Sequence, residues 1–416
     1  MSRMPTRIAS FAMAIRRGIG RLGLVIAALA AVLGGATSAT AGPLQDPRDD
    51  AFYTPPQMLP DGPHGTLIRS RSFVPIGLPL VSGWQIMYKS TDVDGKAIAV
   101  TGTVLVPWTP WFAGHRPIIA WAPGTQGVAD NCAPSHQYAI GTEYEAIAGA
   151  TPLTLAQGWA IAMTDYQGLG TPGDHPWVVG KSEGHAVLDA ALAAQQLGAA
   201  RLSADASVGI IGYSQGGHAA AWAAQLQPGY APALKLKGVS AGAAPARLDG
   251  LLYTQFNGGL FGGLVAYMAI GMNAAYPELD LQSILTPYGQ HVVADLRDKK
   301  CTIEAAATYP GLSDAVLVDP PGLLARPNWK ARLAENRTGT LAPAVPALVY
   351  GGLLDEVVPH QDVKQLFADW CALGAKVNFR TLGITEHATG GVLGMPLVLD
   401  WMGHRFAGDK VVSDCP

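Results

Sequence analysis

Short apolar runs alternate along most of this chain with longer stretches of helical period. Ala97–Val106 alternates and is rich in Val and Thr, which predicts an early strand. Pro117–Ala122 and Trp159–Thr164 are brief apolar runs, the pattern of buried strands. Gly184–Leu197 has helical period, with Val187, Leu188, Ala191, Leu192 and Gln195 near one face and Gly198 as its stop. Val208–Ile211 reads as a strand, and Ala219–Leu226 as an Ala-rich helix closed by Pro228 and Gly229. Gly238–Ala241, Pro346–Gly351 and Val377–Leu382 read as further strands. A helix is expected over about Gln361–Leu373, and a terminal one around His404. Gly42–Arg69, rich in Pro and Asp, is expected to wrap the surface. Strands alternating with helices imply an α/β fold with a doubly wound, mostly parallel sheet.

The alternation breaks over 246–341, where no clear strand can be read. Gly250–Pro277 carries no charged residue and includes Phe256, Leu260, Phe261, Leu264, Val265 and Tyr267. Its six glycines and two asparagines argue against a membrane span. An insertion between sheet elements fits better, with its apolar residues lining a cap over a site at the edge of the sheet.

Of the 416 residues, 49% are hydrophobic and 14% charged, so a large core is affordable and disorder is not expected. The first residues stand apart. Five arginines, an apolar Leu22–Leu33 and an A-x-A site at Ala39–Ala41 predict a signal peptide over 1–41, with the mature chain starting at Gly42. Its removal takes Lys+Arg from 28 to 23 against 31 acids, so the net charge goes from −3 to −8. An acidic exported chain without a basic cluster is not expected to bind nucleic acid. A secreted or periplasmic location, without a stable membrane span, is the expectation. Cys132, Cys301, Cys371 and Cys415 make an even count, which in an exported chain favours two disulfides. Spacing alone leaves three pairings open. None of them has a zinc-finger spacing, and neither metal nor cofactor is expected. Asn336-Arg337-Thr338 is a glycosylation sequon.

The chemistry centres on Gly212-Tyr213-Ser214-Gln215-Gly216, a G-x-S-x-G run between a predicted strand and a predicted helix. Small residues must flank a nucleophile held in so tight a turn. A serine hydroxyl needs a base, and the base needs a carboxylate to orient it. In this fold class the chain order is Ser, then acid, then His, with the later two in loops after strands. Asp355 follows the Pro346–Gly351 strand and is the candidate acid, ahead of Glu356 and of Asp362, which is expected on the next helix facing solvent. His387 follows the last strand and is the candidate base. His404 reads as a helical histidine, and His218 lies too near the elbow. The backbone N–H of Gln215 is one expected oxyanion donor, and Gln126 or Thr125, after the Pro117–Ala122 strand, the other.

Several further segments carry a family likeness. They are Phe52-Tyr53-Thr54-Pro55-Pro56, Asn131-Cys132-Ala133-Pro134-Ser135, Asp165-Tyr166-Gln167-Gly168-Leu169-Gly170-Thr171-Pro172-Gly173, Ser182-Glu183-Gly184 and Glu386-His387. With the elbow, they make the chain resemble the secretory lipase family, a lipase A-like group of α/β-hydrolases, over nearly the whole mature length. The resemblance implies an α/β-hydrolase core at 42–245 and 342–416, a helical cap at 246–341 and an acyl-binding tunnel. It implies a lipase or esterase with Ser214, Asp355 and His387 as its triad and an oxyanion donor at Gln126, where family members can carry an acidic residue. It also implies pairing of Cys132 with Cys301 and of Cys371 with Cys415. The expected partner is a small-molecule ester or lipid, with contact to a lipid interface. An acyltransferase or polyester hydrolase on the same triad, or a non-catalytic binding protein retaining the fold, are the competing readings.

Overall fold

The computed structural model describes residues 45–248 and 261–416. The signal-peptide expectation and the Gly250–Leu260 part of the uncharged segment lie outside them. Nine strands form one sheet in the order β1-β2-β3-β5-β4-β6-β7-β8-β9. They are β1 Leu67–Phe73, β2 Val81–Thr91, β3 Ala97–Pro107, β4 Ile118–Ala122, β5 Ala160–Thr164, β6 Ser207–Tyr213, β7 Lys235–Gly242, β8 Ala347–Gly351 and β9 Val377–Thr381. From β5 to β9 every pairing is parallel, while β1, β2 and β3 add on antiparallel.

Thirteen described α-helices accompany the sheet. Before β5 come α1 Pro134–Ile140, α2 Tyr144–Ile147 and α3 Ala150–Ala156. Then come α4 Gly180–Gln196 and α5 Gln215–Tyr230. Six helices follow β7: α6 Gly263–Ala275, α7 Leu281–Ile284, α8 Pro287–Asp298, α9 Thr302–Thr308, α10 Asp314–Leu317 and α11 Pro327–Glu335. The last two are α12 His360–Ala372 and α13 His387–Ala407.

The central strands are apolar throughout because both faces are covered. Ile118, Ala120, Ile210 and Val349 pack towards α4, α5 and α12. Their neighbours Ile119, Trp121, Ile211 and Leu348 pack towards α3 and α13. This is the period of two that sends successive side chains to opposite faces.

Two strands, β1 and β2, are not legible in the sequence reading. The Gly42–Arg69 stretch is not all surface wrapping. Its described part buries Phe52 and Tyr53, and Leu67–Arg69 begin β1. The Tyr53 hydroxyl hydrogen-bonds with Ser135 Oγ at 2.9 Å and accepts from Gln85 at 2.8 Å. Helix α4 starts at Gly180, before the expected Gly184, because Asn336 Oδ1 accepts the Gly180 N–H at 2.9 Å across the fold. Pro228 does not close α5, which runs on to Tyr230. The sequon asparagine is buried, and its amide nitrogen donates to Tyr276 and Arg332, so the folded chain does not present it for glycosylation.

Candidate active site

The turn after β6 is built by exclusion of side chains. A Cβ on Gly212 would meet the Gly216 carbonyl oxygen at 2.0 Å, and one on Gly216 would meet that of Ala122 at 2.0 Å. Between them Ser214 sits at φ +60°, a costly backbone state for a residue with a side chain. Its N–H donates to the Gly242 carbonyl at 2.9 Å, which ties the turn to β7.

Loops at the carboxyl ends of β8 and β9 bring two more side chains to Ser214, as expected for the carboxyl edge of an α/β sheet. His387 Nε2 lies 2.9 Å from Ser214 Oγ. His387 Nδ1 lies 2.9 and 2.8 Å from the two Asp355 carboxylate oxygens. With Nδ1–H donating to Asp355, Nε2 accepts from the Ser214 hydroxyl. Asp355 has a fully buried side chain, and its Oδ1 also accepts the N–H groups of Val357 and Val358 at 3.0 and 2.7 Å. His387 is the first residue of α13, capped by Glu386, whose carboxylate accepts from the Ala388 and Thr389 amides. Thr389 hydrogen bonding holds the Glu386 carboxyl below its usual range. Tyr213, the first variable residue of the elbow, donates its hydroxyl to the His387 carbonyl at 2.8 Å. The sequence carried no sign of that contact.

The rival residues fall elsewhere. Glu356 Oε2 accepts the His387 backbone N–H at 3.1 Å. Asp362 is on α12 as expected but is buried rather than facing solvent, 3.4 Å from Arg247. His404 is exposed and pairs with Asp409 at 2.7 Å. His218 is buried against Glu183.

Gly124 and Thr125 reach the cavity in front of Ser214, and Gln126 follows them with its side chain buried. This loop is fastened from the far side. The Thr125 and Gln126 carbonyls accept from the Thr302 hydroxyl and N–H at 2.7 and 2.9 Å. The Cys132–Cys301 disulfide lies one residue from Thr302, and Cys371 pairs with Cys415. The cavity holds about 380 Å³ and is mostly apolar. Trp121, Tyr144, Ile211, Phe261, Leu264 and Met395 are among its walls. One carboxyl faces it that sequence reasoning missed. Glu145 accepts from Trp121 Nε1 at 2.8 Å and from Gly124 N–H at 3.1 Å. Burial, and then the neighbouring Glu143, push this carboxyl well above the usual range. Its signal is burial itself, which no local pattern records.

Comparison with known proteins gives the family. The family model described as secretory lipase matches residues 133–414. The chain belongs to the secretory lipase family. It is 30% identical over 418 residues to Lipase A of Moesziomyces aphidis, covering 94% of this chain and 88% of that one. It is 28% identical over 383 residues to a Mycobacterium tuberculosis protein named "Probable inactive lipase", covering 88% and 84%. Candida antarctica lipase A in its closed state superposes with a TM-score of 0.80 at 27% identity, covering 89% of each chain. This secretory lipase is an α/β-hydrolase and a carboxylic-ester hydrolase of the lipase type. Family and disulfides fit an extracellular protein. Among the described residues no helix is long and apolar enough to cross a membrane.

Proposed function

We propose that this secretory lipase is exported after loss of residues 1–41 and hydrolyses apolar carboxylic esters through an acyl-enzyme on Ser214. His387 takes the Ser214 proton as Oγ attacks the ester carbonyl, and Asp355 stabilises the imidazolium. The tetrahedral oxyanion is met by the backbone N–H groups of Gln215 and Gln126. Collapse expels the alcohol, which takes the proton from His387. Water then repeats the sequence and frees the acid. The observation that carries this reading is the 2.9 Å contact of His387 Nε2 with Ser214 Oγ, together with Asp355 on the other ring nitrogen.

The cavity supports an apolar, chain-like acyl group. Its volume of about 380 Å³ lies in the range of small-molecule sites. Residues 246–341 form the cap over a core of 42–245 and 342–416. Helices α6–α11 and the cavity residues Phe261, Leu264, Thr302 and Ile303 support that division.

Turnover of p-nitrophenyl esters by the wild type and by Ser214→Ala tests the proposal. Loss of roughly 10⁶ in kcat is expected, with folding unchanged. A wild type that binds esters without turning them over would favour the binding-protein reading, to which the relative named an inactive lipase lends some weight.

A further inference from the structure

Beneath the nucleophile turn lies a closed set of buried polar groups that the proposed reaction does not use. Its centre is Glu183 on α4, with no exposed surface. Glu183 Oε1 accepts from two donors, the Val178 N–H at 2.9 Å and the Gln215 side-chain amide at 2.7 Å. Glu183 Oε2 faces His218 Nδ1 at 3.0 Å. The other His218 nitrogen faces the Asn336 carbonyl at 2.8 Å. With Nδ1–H donating to the Glu183 carboxylate, the imidazole is held between α4 and the end of α11. The second Gln215 amide hydrogen goes to His175 Nε2 at 2.8 Å, and His175 Nδ1–H donates to the Gln167 carbonyl at 2.9 Å.

The carboxylate holds Val178 itself and the residue that follows Ser214, and Val178 and Ser214 both have strained backbone. Val178 has φ +55°, a true outlier for a β-branched side chain, and Ser214, next to Gln215, has φ +60°. Strained backbone persists only where its surroundings over-determine it. Glu183 is common to both restraints. At the far end, Asn336 follows α11 and joins the set to α4 through Gly180 and to α5 through His218 and the Trp222 Nε1 at 3.2 Å.

We infer that Glu183 is a positioning residue for the oxyanion hole: by gripping the Gln215 side chain it aims the Gln215 backbone N–H at the developing charge. This rests on the acyl-enzyme reading above. An oxyanion donor acts through geometry set in advance, so its aim matters more than its presence. Removing Glu183 would also strand three buried donors, each expensive to leave unpaired.

The test uses the mature protein with Gln215→Met, Glu183→Leu and Glu183→Gln. Active sites are counted by covalent labelling with a p-nitrophenyl phosphonate, and kcat is expressed per labelled site. KM and the inhibition constant of an alkyl boronic acid, which forms a tetrahedral adduct, are measured alongside. Gln215→Met keeps the backbone donor and removes only its tether. Its kcat should fall about ten- to a hundred-fold, less than the ~10²–10³ for loss of a whole oxyanion donor. Boronic acid affinity should weaken in step, and KM should stay within about twofold. Glu183→Leu should match it wherever it folds. Glu183→Gln, which can still accept from Val178 and Gln215, should restore most of the loss. Unchanged kcat and boronic acid affinity per labelled site in Gln215→Met would overturn the inference, as would loss confined to the number of labelled sites. Failure of the wild type to take up phosphonate at Ser214 would instead remove the acyl-enzyme reading, and this inference with it.

Discussion

Two buried carboxyl groups serve the same site, Glu145 lining the cavity and Asp355 behind His387, and they are treated in opposite ways. Asp355 is held by His387 and by two backbone amides of its own loop, with its side chain out of water. Glu145 is held by an indole and one amide among apolar walls, beside a second buried acid. The difference extends to the walls that carry them. The Ser214–His387–Asp355 wall is a chain of short hydrogen bonds on loops after β6, β8 and β9. The wall from Trp121 to Ala150, with Phe261, Leu264 and Ile303, offers mainly apolar area and is tied through Thr302 and the Cys132–Cys301 bond. On the proposed function the first wall reacts and the second holds a chain. Changes on the first should therefore cost rate, and changes on the second should cost selectivity or alter stability.

The largest effect should come from Asp355→Asn. The amide still orients His387 but offers it the wrong partner, and kcat should fall by about 10⁴ with little change in KM. A comparable loss of KM and kcat together would blur the division between the walls. Next comes Leu264→Asn. Burying a leucine-sized surface is worth about 1.5–3 kcal/mol. The kcat/KM for long acyl esters should drop by roughly ten- to a hundred-fold relative to short ones. An unchanged acyl-length profile would mean that this part of 246–341 does not hold the chain. The smallest effect is the most particular to Glu145. Its carboxyl keeps its proton in the fold when an unfolded chain, near the ordinary 4.5, has lost it. The native state then binds more protons, so this group's contribution to stability is complete below that pH and is lost as the pH rises above it. Glu145→Gln should lose a hydrogen bond in acid, yet its deficit in Tm should shrink from pH 5 to pH 8. Part of the slope should remain, because burial raises Glu143 in the same direction. A deficit that stays flat from pH 5 to pH 8 would mean that Glu145 is ionised in the fold.

How much of this was legible follows the range of each cause. The elbow is local: its glycines, flanking strand and helix lie within one stretch, and Ser214 stands where that stretch says. Asp355 and His387 were found through chain order and strand ends, which are also local signals. The start of α4 was misplaced because the group capping Gly180 is Asn336, far along the chain. Strand β2 was missed because Ile86, Met87 and Tyr88 are all buried in succession, which hides the alternation. Asp362 was expected on the next helix facing solvent, yet the fold turns it inward beside Arg247. Glu145 went unread and Glu183 entered only within the Ser182-Glu183-Gly184 likeness, and only the packing around them gives them their character.

The acyl-enzyme is the centre of the account, and it can be caught. Mixing the enzyme with a p-nitrophenyl ester, quenching in acid within the first turnover and mapping peptides by mass should find the acyl group on the peptide carrying Ser214, with a burst of p-nitrophenol near one equivalent. Release of p-nitrophenol in a steady line, with no acyl group on that peptide while turnover proceeds, would contradict it.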